Sequence, residues 1–415
     1  MNPRRIADRP VLLSTTLRRL TATLLALAAM LAGAAPAAAI SESALRTTIA
    51  REMAKGPAAS GAYVRDMDSG AELYALRENV VRIPASVEKL FTTSAALLRL
   101  GPSATLQTQA VTAPGSVVEP GGTLRGDLVL IGAGDPFFGD EAAGRLAQAI
   151  RAAGIRHIDG AVIGDESAFD AQRSGCCTGY DPDLGGVLSA LAYDRGIFAG
   201  RARLDAARFA AGRFAAKLKA AGVTAAGRST SGAAPKGAKT IAFVDSRTIG
   251  ELAQFINVPS NNFAAEMLFR ELGARYRDEG SLAAGADVVR DTLDDFGLHP
   301  RIVDGSGLSR RNRATPREVV RLLERMRNQD IAQTWRDSLA VTGVTGTVKA
   351  RMRRTAAAGR CHVKTGTLRL VSALAGYCRT ANGRDLGFAL MFNRANTPAA
   401  KAREDRIAAA IARLG

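Results

Sequence analysis

The sequence predicts an α/β protein in which one antiparallel sheet lies beside a cluster of helices and carries a smaller, inserted α/β domain. Residues 62–76 predict a hairpin near one end of the 415-residue chain. Three strand-like runs lie near the other end, at 362–367, 371–378 and 385–392, and Asn382-Gly383 predicts a type I′ turn between the last two. Because these two groups bracket the rest of the chain, the simplest arrangement is a single sheet built from both chain ends.

The central region differs in character from both ends, which predicts a discontinuous domain organisation. Short strands alternate with helices over 108–242, and a connector rich in Gly, Ala, Ser, Pro and Lys ends this region. We therefore expect one domain formed by 40–107 and 243–415, with 108–242 inserted as a second. Within the insertion, 144–155 resembles 212–223, which indicates two related helix–strand units unless Ala-rich helices match by chance.

Residues 1–39 have the pattern of a signal peptide. A basic start is followed by an apolar stretch from Thr21 to Ala34 and by a possible cleavage site at Ala37–Ala39. The apolar stretch is short for a membrane-spanning helix, although retention as an uncleaved anchor is the alternative. We therefore expect an exported protein of the periplasm or cell envelope.

The chain is strongly basic, with a formal net charge of +17. Such a charge favours anionic surfaces through long-range attraction. For an exported protein these surfaces are wall polymers or lipid head groups, and nucleic acid is not an expected partner. The alternative is an arginine-rich surface that is simply solvated and has no dedicated partner.

Three short motifs follow one another in a fixed order. Ser86-x-x-Lys89 opens a predicted helix, Ser260-Asn261-Asn262 precedes another, and Lys364-Thr365-Gly366 lies in a predicted strand. Each motif alone is weak evidence, because Ser86 and Ser260 could be helix caps and Lys89 a solvated lysine. The ordered set, with each motif in its expected structural setting, is typical of a serine enzyme that forms an acyl intermediate.

The spacing of the first motif has a chemical reason. Residues three apart share one helix face, so Lys89 can reach the Ser86 hydroxyl. A serine hydroxyl needs an adjacent base, and an amine can be that base only where burial or a neighbouring positive charge lowers its pKa. We expect the buried helix to supply the burial and Lys364 to supply the charge.

The other motif residues have expected roles around this nucleophile. Lys364 can stay charged and hold a substrate carboxylate, with Thr365 and Gly366 beside it. Ser260 would pass a proton to the leaving amine, and Asn262 would hold the substrate amide and orient Lys89. The backbone N–H groups of Ser86 and Thr367 would form an oxyanion hole.

The three motifs resemble those of the class C low-molecular-mass penicillin-binding proteins, the D-Ala-D-Ala carboxypeptidase/endopeptidase family. Similar stretches span most of the chain: GDLVLIGAGDP at 126–136, GAVIGDESAFD at 160–170, PSNNFAAEML at 259–268, DGSGLSR at 304–310 and VKTGTLRLVSALAGY at 363–377. The resemblance implies a penicillin-recognising, serine transpeptidase-like fold whose catalytic domain is the discontinuous one. It also implies peptidoglycan stem peptides ending in D-Ala-D-Ala as substrates, β-lactams as inhibitors and no cofactor.

Several residues outside the motifs carry weaker predictions. Arg310 follows the DGSGLS loop and could bind a substrate side-chain carboxylate, although it could equally be a solvated arginine. His157, His299 and His362 are scattered along the chain and indicate neither a catalytic triad nor a metal site.

Two other functions share part of this pattern. A β-lactamase would have the same three motifs, but we find no loop with a glutamate suited to activate water on the acyl-enzyme. A wall-binding or scaffold protein with a relic site is the rival from another class, and the intact set of Ser86, Lys89, Ser260, Asn262 and Lys364 argues against it.

Two of the four cysteines lie on neighbouring predicted strands. A hairpin with its turn at Arg369-Leu370 places Cys361 directly opposite Cys378, within disulfide reach and on the face opposite Lys364. The alternative is two free buried thiols, because the register is inferred. Cys176 and Cys177 would then be free or joined as a vicinal pair.

Overall fold

A computed structural model describes residues 38–175 and 179–415. The predicted signal peptide therefore lies almost entirely outside the described residues, and so do Cys176 and Cys177. Among the described residues, no helix has both the length and the apolar character needed to cross a membrane.

A six-stranded antiparallel sheet joins the two ends of the chain, as predicted. Its strands are β1 (Ser60–Asp66), β2 (Glu72–Leu76), β13 (Ala340–Val341), β14 (Cys361–Leu368), β15 (Val371–Arg379) and β16 (Asp385–Asn393). The strand order is β13-β14-β15-β16-β1-β2, so the hairpin of the N-terminal part adds to the last strands through β1 and β16.

Helices cover both faces of this sheet, and each face has its own apolar core. These helices are α1 (Glu42–Ala54), α2 (Lys89–Leu100), α5 (Ile249–Asn257), α6 (Asn262–Arg277), α7 (Leu282–Asp294), α8 (Pro316–Arg327), α9 (Ala332–Asp337) and α10 (Thr397–Ala412). The first core lies between the sheet and the helices α2, α5, α6, α7, α8 and α9. The second core lies between the sheet and the helices α1 and α10.

The region between α2 and α5 has separate sheets and a separate apolar core. Its elements are β3 (Gln107–Thr112), β4 (Thr123–Leu124), β5 (Leu128–Ile131), α3 (Asp140–Ala152), β6 (His157–Ile158), β7 (Val162–Asp165), β8 (Ile197–Phe198), β9 (Arg201–Ala202), α4 (Ala206–Ala220), β10 (Thr224–Ala225), β11 (Thr230–Ser231) and β12 (Lys239–Asp245). The two similar helices, α3 and α4, each lead into a strand, and those strands, β6 and β10, pair in parallel.

The boundary of this inserted region differs slightly from the predicted one. Strand β12 crosses the expected boundary at 242–243 and pairs with β3, so the inserted sheet runs from Gln107 to Asp245. Residues 40–415 together form one compact unit. The division into two domains therefore stays a prediction.

The predicted register of the β14–β15 hairpin is confirmed. Cys361 lies opposite Cys378, and the two are joined by a disulfide bond. Both cysteines are buried in the core beneath α10, whereas Lys364 on the same strand points away from that core. The bond therefore braces the Lys364 strand from behind.

Candidate active site

Ser86 lies on a 3₁₀ turn, Ala85–Glu88, that leads directly into α2 at Lys89. A 3₁₀ turn has three residues per turn, so residues i and i+3 lie one above the other. The Lys89 Nζ atom is consequently 3.1 Å from the Ser86 Oγ atom. The sequence predicted this contact from helical spacing, and the tighter turn makes it more direct.

Lys89 is fully buried, and its ammonium contacts three different segments of the chain. It donates to Ser86, to Asn262 Oδ1 at 2.7 Å and to the carbonyl oxygen of Ser306. Burial lowers the pKa of Lys89 to about 8, against the opposing effect of nearby carboxyl groups. A measurable fraction of the amine is therefore neutral near pH 7, as a general base requires.

Three carboxyl groups lie near the Lys89 ammonium, and the sequence predicted no role for them. Glu88, Glu266 and Asp304 are all buried. Burial raises the pKa of Glu266 to about 7 and that of Glu88 well above its usual range, and the Asp304 charge adds to both effects. All three lie in or beside the segments that carry the family resemblance. That resemblance was the signal that could have identified them as residues of the site.

Glu266 also connects two segments of the site. Its carboxylate accepts hydrogen bonds from the backbone N–H groups of Gly305 and Ser306, at 3.1 and 2.9 Å. The carbonyl of Ser306 in turn accepts from Lys89. The DGSGLS loop is therefore held on α6 in the position where it contacts the base.

Lys364 and Ser260 form the second pair of the site. The Lys364 Nζ atom donates to Ser260 Oγ at 2.8 Å and to the Thr365 carbonyl at 2.9 Å. Ser260 has a φ of 62°, a left-handed conformation that is uncommon for a residue with a side chain. This backbone geometry brings its hydroxyl to the ammonium just before α6 begins.

The two lysines have different electrostatic surroundings. Lys364 is fully buried, and burial together with the Lys89 charge holds its pKa well below the usual lysine range. Nearby carboxyl groups favour the charged form of Lys89. The polar contacts of Lys364 are the Ser260 hydroxyl and the Thr365 carbonyl. Burial thus lowers the pKa of both lysines, and nearby carboxyl groups oppose this effect at Lys89.

Two glycines allow the motif segments to approach one another. A Cβ atom on Gly366 would lie 2.5 Å from the Pro84 carbonyl oxygen, so only glycine lets β14 pass this close to the Ser86 turn. Gly307 has a φ of 80°, and a Cβ atom there would lie 2.1 Å from the Ala85 carbonyl oxygen. These contacts explain why glycine stands in K-T-G and in D-G-S-G.

Asn262 joins the two groups of residues, since it opens α6 two positions after Ser260. Its Oδ1 atom accepts from Lys89, and its Nδ2 atom donates to the Asp183 carbonyl at 2.7 Å. An amide nitrogen carries two protons, so one remains for a substrate carbonyl. Asn262 can thus orient Lys89 and still contact a ligand.

The remaining predicted residues lie along β14 and at its far end. The Thr365 hydroxyl is 2.8 Å from the Thr347 hydroxyl, and Thr367 is exposed. Arg310 is also exposed, and its Nη1 atom donates to the Arg369 carbonyl at 3.0 Å, just beyond β14. Arg310 has no recorded hydrogen bond to Ser86, Lys89 or Lys364 among the described residues.

Across 38–175 and 179–415, no cluster of His, Cys, Asp and Glu side chains has the arrangement of a metal site. The three histidines lie apart: His157 contacts Thr224, His299 contacts Asp294, and His362 contacts the Arg336 carbonyl. Among the described residues, the hydrogen-bond partners of these histidines do not include Ser86, Lys89, Ser260 or Lys364.

Comparisons with known proteins agree with this arrangement. The D-Ala-D-Ala carboxypeptidase 3 (S13) family matches residues 45–183 and 184–414. A D-alanyl-D-alanine carboxypeptidase of an Actinomadura species is 31% identical, over 86% of this chain and 81% of its own. Carboxypeptidase DacB of Mycolicibacterium smegmatis is 34% identical, over 85% of this chain and 80% of its own.

The fold also resembles those of solved structures. The crystal structure of penicillin binding protein 4 (dacB) from Haemophilus influenzae superposes with a TM-score of 0.75, covering 86% of this chain and 98% of that one at 20% identity. The penicillin-binding fold expected from the resemblance is therefore confirmed. Motif order, site geometry, family match and fold agree, and the chain belongs to the D-Ala-D-Ala carboxypeptidase 3 (S13) family of serine peptidases.

Proposed function

We propose that this chain is a penicillin-sensitive D-Ala-D-Ala carboxypeptidase and DD-endopeptidase that acts on peptidoglycan stem peptides through an acyl-enzyme on Ser86. The observation that supports it most strongly is the 3.1 Å contact between the Ser86 hydroxyl and the amine of a fully buried Lys89. A relic binding site would not need a buried lysine next to a serine, because burying a charge costs free energy.

Acylation begins with neutral Lys89. The amine takes the Ser86 proton while Oγ attacks the carbonyl carbon of the penultimate D-Ala, and the N–H groups of Ser86 and Thr367 stabilise the oxyanion. The C–N bond then breaks, and the proton that Lys89 took from Ser86 passes through Ser260 to the leaving amine. Water next attacks the Ser86 ester, which releases the shortened peptide and restores the hydroxyl.

Substrate binding supplies the charge partner that Lys364 lacks. A C-terminal carboxylate placed beside Lys364 and Ser260 stabilises the ammonium, which raises the depressed pKa of Lys364. The rest of the peptide extends along β14, past Thr365, Gly366 and Thr367. Only Val363 and His362 of β14 pair with β13, so the following residues present a free strand edge among the described elements.

We also propose an exported enzyme of the periplasm or cell envelope, with residues 1–39 as its signal peptide. Residues 40–107 and 243–415 would form the catalytic domain and 108–242 the inserted one. The net charge of +17 supports contact with anionic wall or membrane surfaces. Arg310 would bind a carboxylate of the substrate at the end of β14.

A labelled penicillin tests the acyl-enzyme. We expect one label per chain on the peptide that contains Ser86, and no label in Ser86→Ala. Ser43→Ala is a matched control, because Ser43 is exposed on α1. A label on another residue, or full labelling of Ser86→Ala, would refute the mechanism. Mass spectrometry of stem pentapeptides and cross-linked dimers after incubation then separates the carboxypeptidase from the endopeptidase activity.

A further inference from the structure

A strongly basic loop connects β13 to β14 beside the active site. We call residues 342–360 the basic loop. The sequence from 338 to 384, which includes this loop, contains no aspartate or glutamate. The exposed cationic side chains of the loop are Lys349, Arg353, Arg354 and Arg360. Within residues 38–175 and 179–415, no carboxylate forms an ion pair with any of these side chains, so the loop presents its positive charge to solvent.

The shape of the basic loop is fixed by contacts on its inner side. Arg351 forms ion pairs with Glu404 and Asp405 of α10, at 2.9 and 2.7 Å. The Arg353 Nε atom donates to the Lys349 carbonyl at 2.6 Å, which holds these two exposed residues side by side. The loop is therefore attached to α10 through one arginine, and its other cationic side chains are left for a ligand.

The start of the basic loop forms part of the active-site wall. The Thr347 hydroxyl is 2.8 Å from the Thr365 hydroxyl, and the Thr347 N–H donates to the Val258 carbonyl at 3.2 Å. Gly346 has a φ of 55°, and a Cβ atom there would lie 2.1 Å from the same carbonyl oxygen, so this approach requires glycine. Because Thr347 is exposed, it borders the position of the substrate carboxylate beside Lys364.

The direction of a bound substrate brings its leaving group to this wall. In the proposed function, the acyl half extends along β14 beyond Lys364, and the leaving residue places its carboxylate beside Lys364. On the other side of Lys364, β13 already pairs with His362 and Val363. A leaving group longer than one residue therefore has to turn away from β14, and the contact with Thr365 places Thr347 on that path.

Only a long leaving group can reach the charged part of the basic loop. Thr347 and Lys349 lie in and just after a 3₁₀ turn, Gly346–Val348, in which each residue advances about 2 Å. A single D-Ala leaves with one carboxylate, and Lys364 holds that group. In a cross-linked substrate the leaving amine belongs to a second stem peptide, which spans roughly 3.5 Å per residue and carries further carboxylates. Those carboxylates can reach Lys349 and Arg353.

We propose that the basic loop binds the acidic second stem peptide of a cross-linked substrate, the half that departs as the amine, and so favours cleavage of cross-links. This inference rests on the proposed function of Ser86 and adds a substrate contact on the leaving side of the same site. Exposed cations suit this position, because each surface ion pair is weak and the departing product can dissociate.

Three substrates test the inference. They are a stem pentapeptide, a cross-linked dimer of tetrapeptides, and the same dimer with the carboxylates of its leaving half amidated except the one beside the cleaved bond. We expect the wild-type kcat/KM to be about fivefold higher for the unmodified dimer than for the amidated dimer, the effect of two exposed ion pairs. This preference should weaken as ionic strength rises.

Variants of the basic loop locate the effect. Lys349→Gln/Arg353→Gln should bring the ratio of the two dimers close to one and lower the ratio of unmodified dimer to pentapeptide by about fivefold. Lys349→Glu/Arg353→Glu should lower both ratios further, because like charges repel. The control Lys219→Gln/Arg228→Gln removes an exposed lysine and an exposed arginine of the inserted region and should keep both wild-type ratios. Each ratio compares two substrates on one enzyme sample, so partial misfolding cannot imitate the result.

Unchanged ratios in both loop variants overturn the inference. So does a wild type that releases D-Ala from the pentapeptide but cleaves neither dimer, or cleaves both dimers equally well. Loss of binding to anionic phospholipid vesicles in the loop variants, with both ratios unchanged, overturns it as well, since the loop would then serve a membrane surface. Failure of the proposed function looks different, because the wild type would then neither react with penicillin nor release D-Ala.

Discussion

Lys89 and Lys364 are both fully buried, yet their surroundings differ. Buried carboxyl groups near Lys89 partly offset the desolvation of its ammonium. Lys364 has no such support, and the Lys89 charge opposes its protonation. The two lysines are thereby suited to different tasks, Lys89 as a general base and Lys364 as a cation that an anionic substrate stabilises.

Replacing Lys89 by arginine tests whether a neutral amine is needed. A guanidinium keeps the charge but cannot give up its proton at working pH. We expect acylation of Lys89→Arg by penicillin to fall by about a thousandfold, within the usual contribution of general base catalysis. Lys219→Arg, at an exposed position, is the control.

Lys89→Gln is a second test of the same point. Its side chain is uncharged, so it does not place a guanidinium in the buried site. Thermal unfolding confirms that both proteins fold. Acylation near the wild-type rate in either folded variant would show that Lys89 has a structural role only.

The pH dependence of acylation should report the same lysine. Burial holds the pKa of Lys89 at about 8, so half of the amine is neutral at that pH and the neutral fraction levels off only above it. When penicillin is bound, a charged Lys364 lowers the Lys89 pKa further. We therefore expect the first-order acylation rate at saturating penicillin to rise with a midpoint at or below about pH 8.

Stopped-flow measurement between pH 6 and pH 10 provides this profile, with thermal unfolding over the same range as the control. The charges of Glu88, Glu266 and Asp304 act on Lys89 and influence the midpoint. A midpoint near the ordinary lysine value, or a rate independent of pH, would exclude neutral Lys89 as the base.

At the scale of elements, the two faces of the β14–β15 hairpin have different roles. One face carries Lys364 to the active site, and the other buries the Cys361–Cys378 bond in the core beneath α10. Gly366 lets this hairpin approach the Ser86 turn, because any side chain there would meet the Pro84 carbonyl. Removing the disulfide bond would therefore weaken the hairpin on the face opposite Lys364 and leave the Lys364 face unchanged.

The disulfide bond offers a direct test of this separation. Peptide mapping without reducing agent should yield a peptide pair linked through Cys361 and Cys378. Cys361→Ala/Cys378→Ala should lower the free energy of unfolding by about 3 kcal/mol in urea titrations, as expected for a loop of this size. Acylation at saturating penicillin should stay within about threefold of wild type, because the face that carries Lys364 keeps its side chains.

Cys177→Ala serves as the matched single-cysteine control. A linkage of Cys361 to Cys176 or Cys177 would contradict the arrangement. So would a loss of acylation comparable to that of Lys89→Arg while the double variant remains folded.

At the scale of the whole molecule, the sequence by itself determined the local features and their order along the chain. The three motifs, the hairpins at both chain ends and the Cys361–Cys378 register were predictable, because each depends on residues close together in sequence or on the alternation of one strand. The joining of β1 to β16 followed from the way these strands bracket the chain.

Only the tertiary structure decided the electrostatics. The Lys89 ammonium contacts Ser86, Asn262 and Ser306, and its carboxyl neighbours come from three segments that are far apart in sequence. Desolvation depends on how completely these segments enclose a group, and spacing along the chain carries no such information. For the same reason, the sequence could not show that carboxyl groups oppose the effect of burial at Lys89, whereas the Lys89 charge adds to it at Lys364.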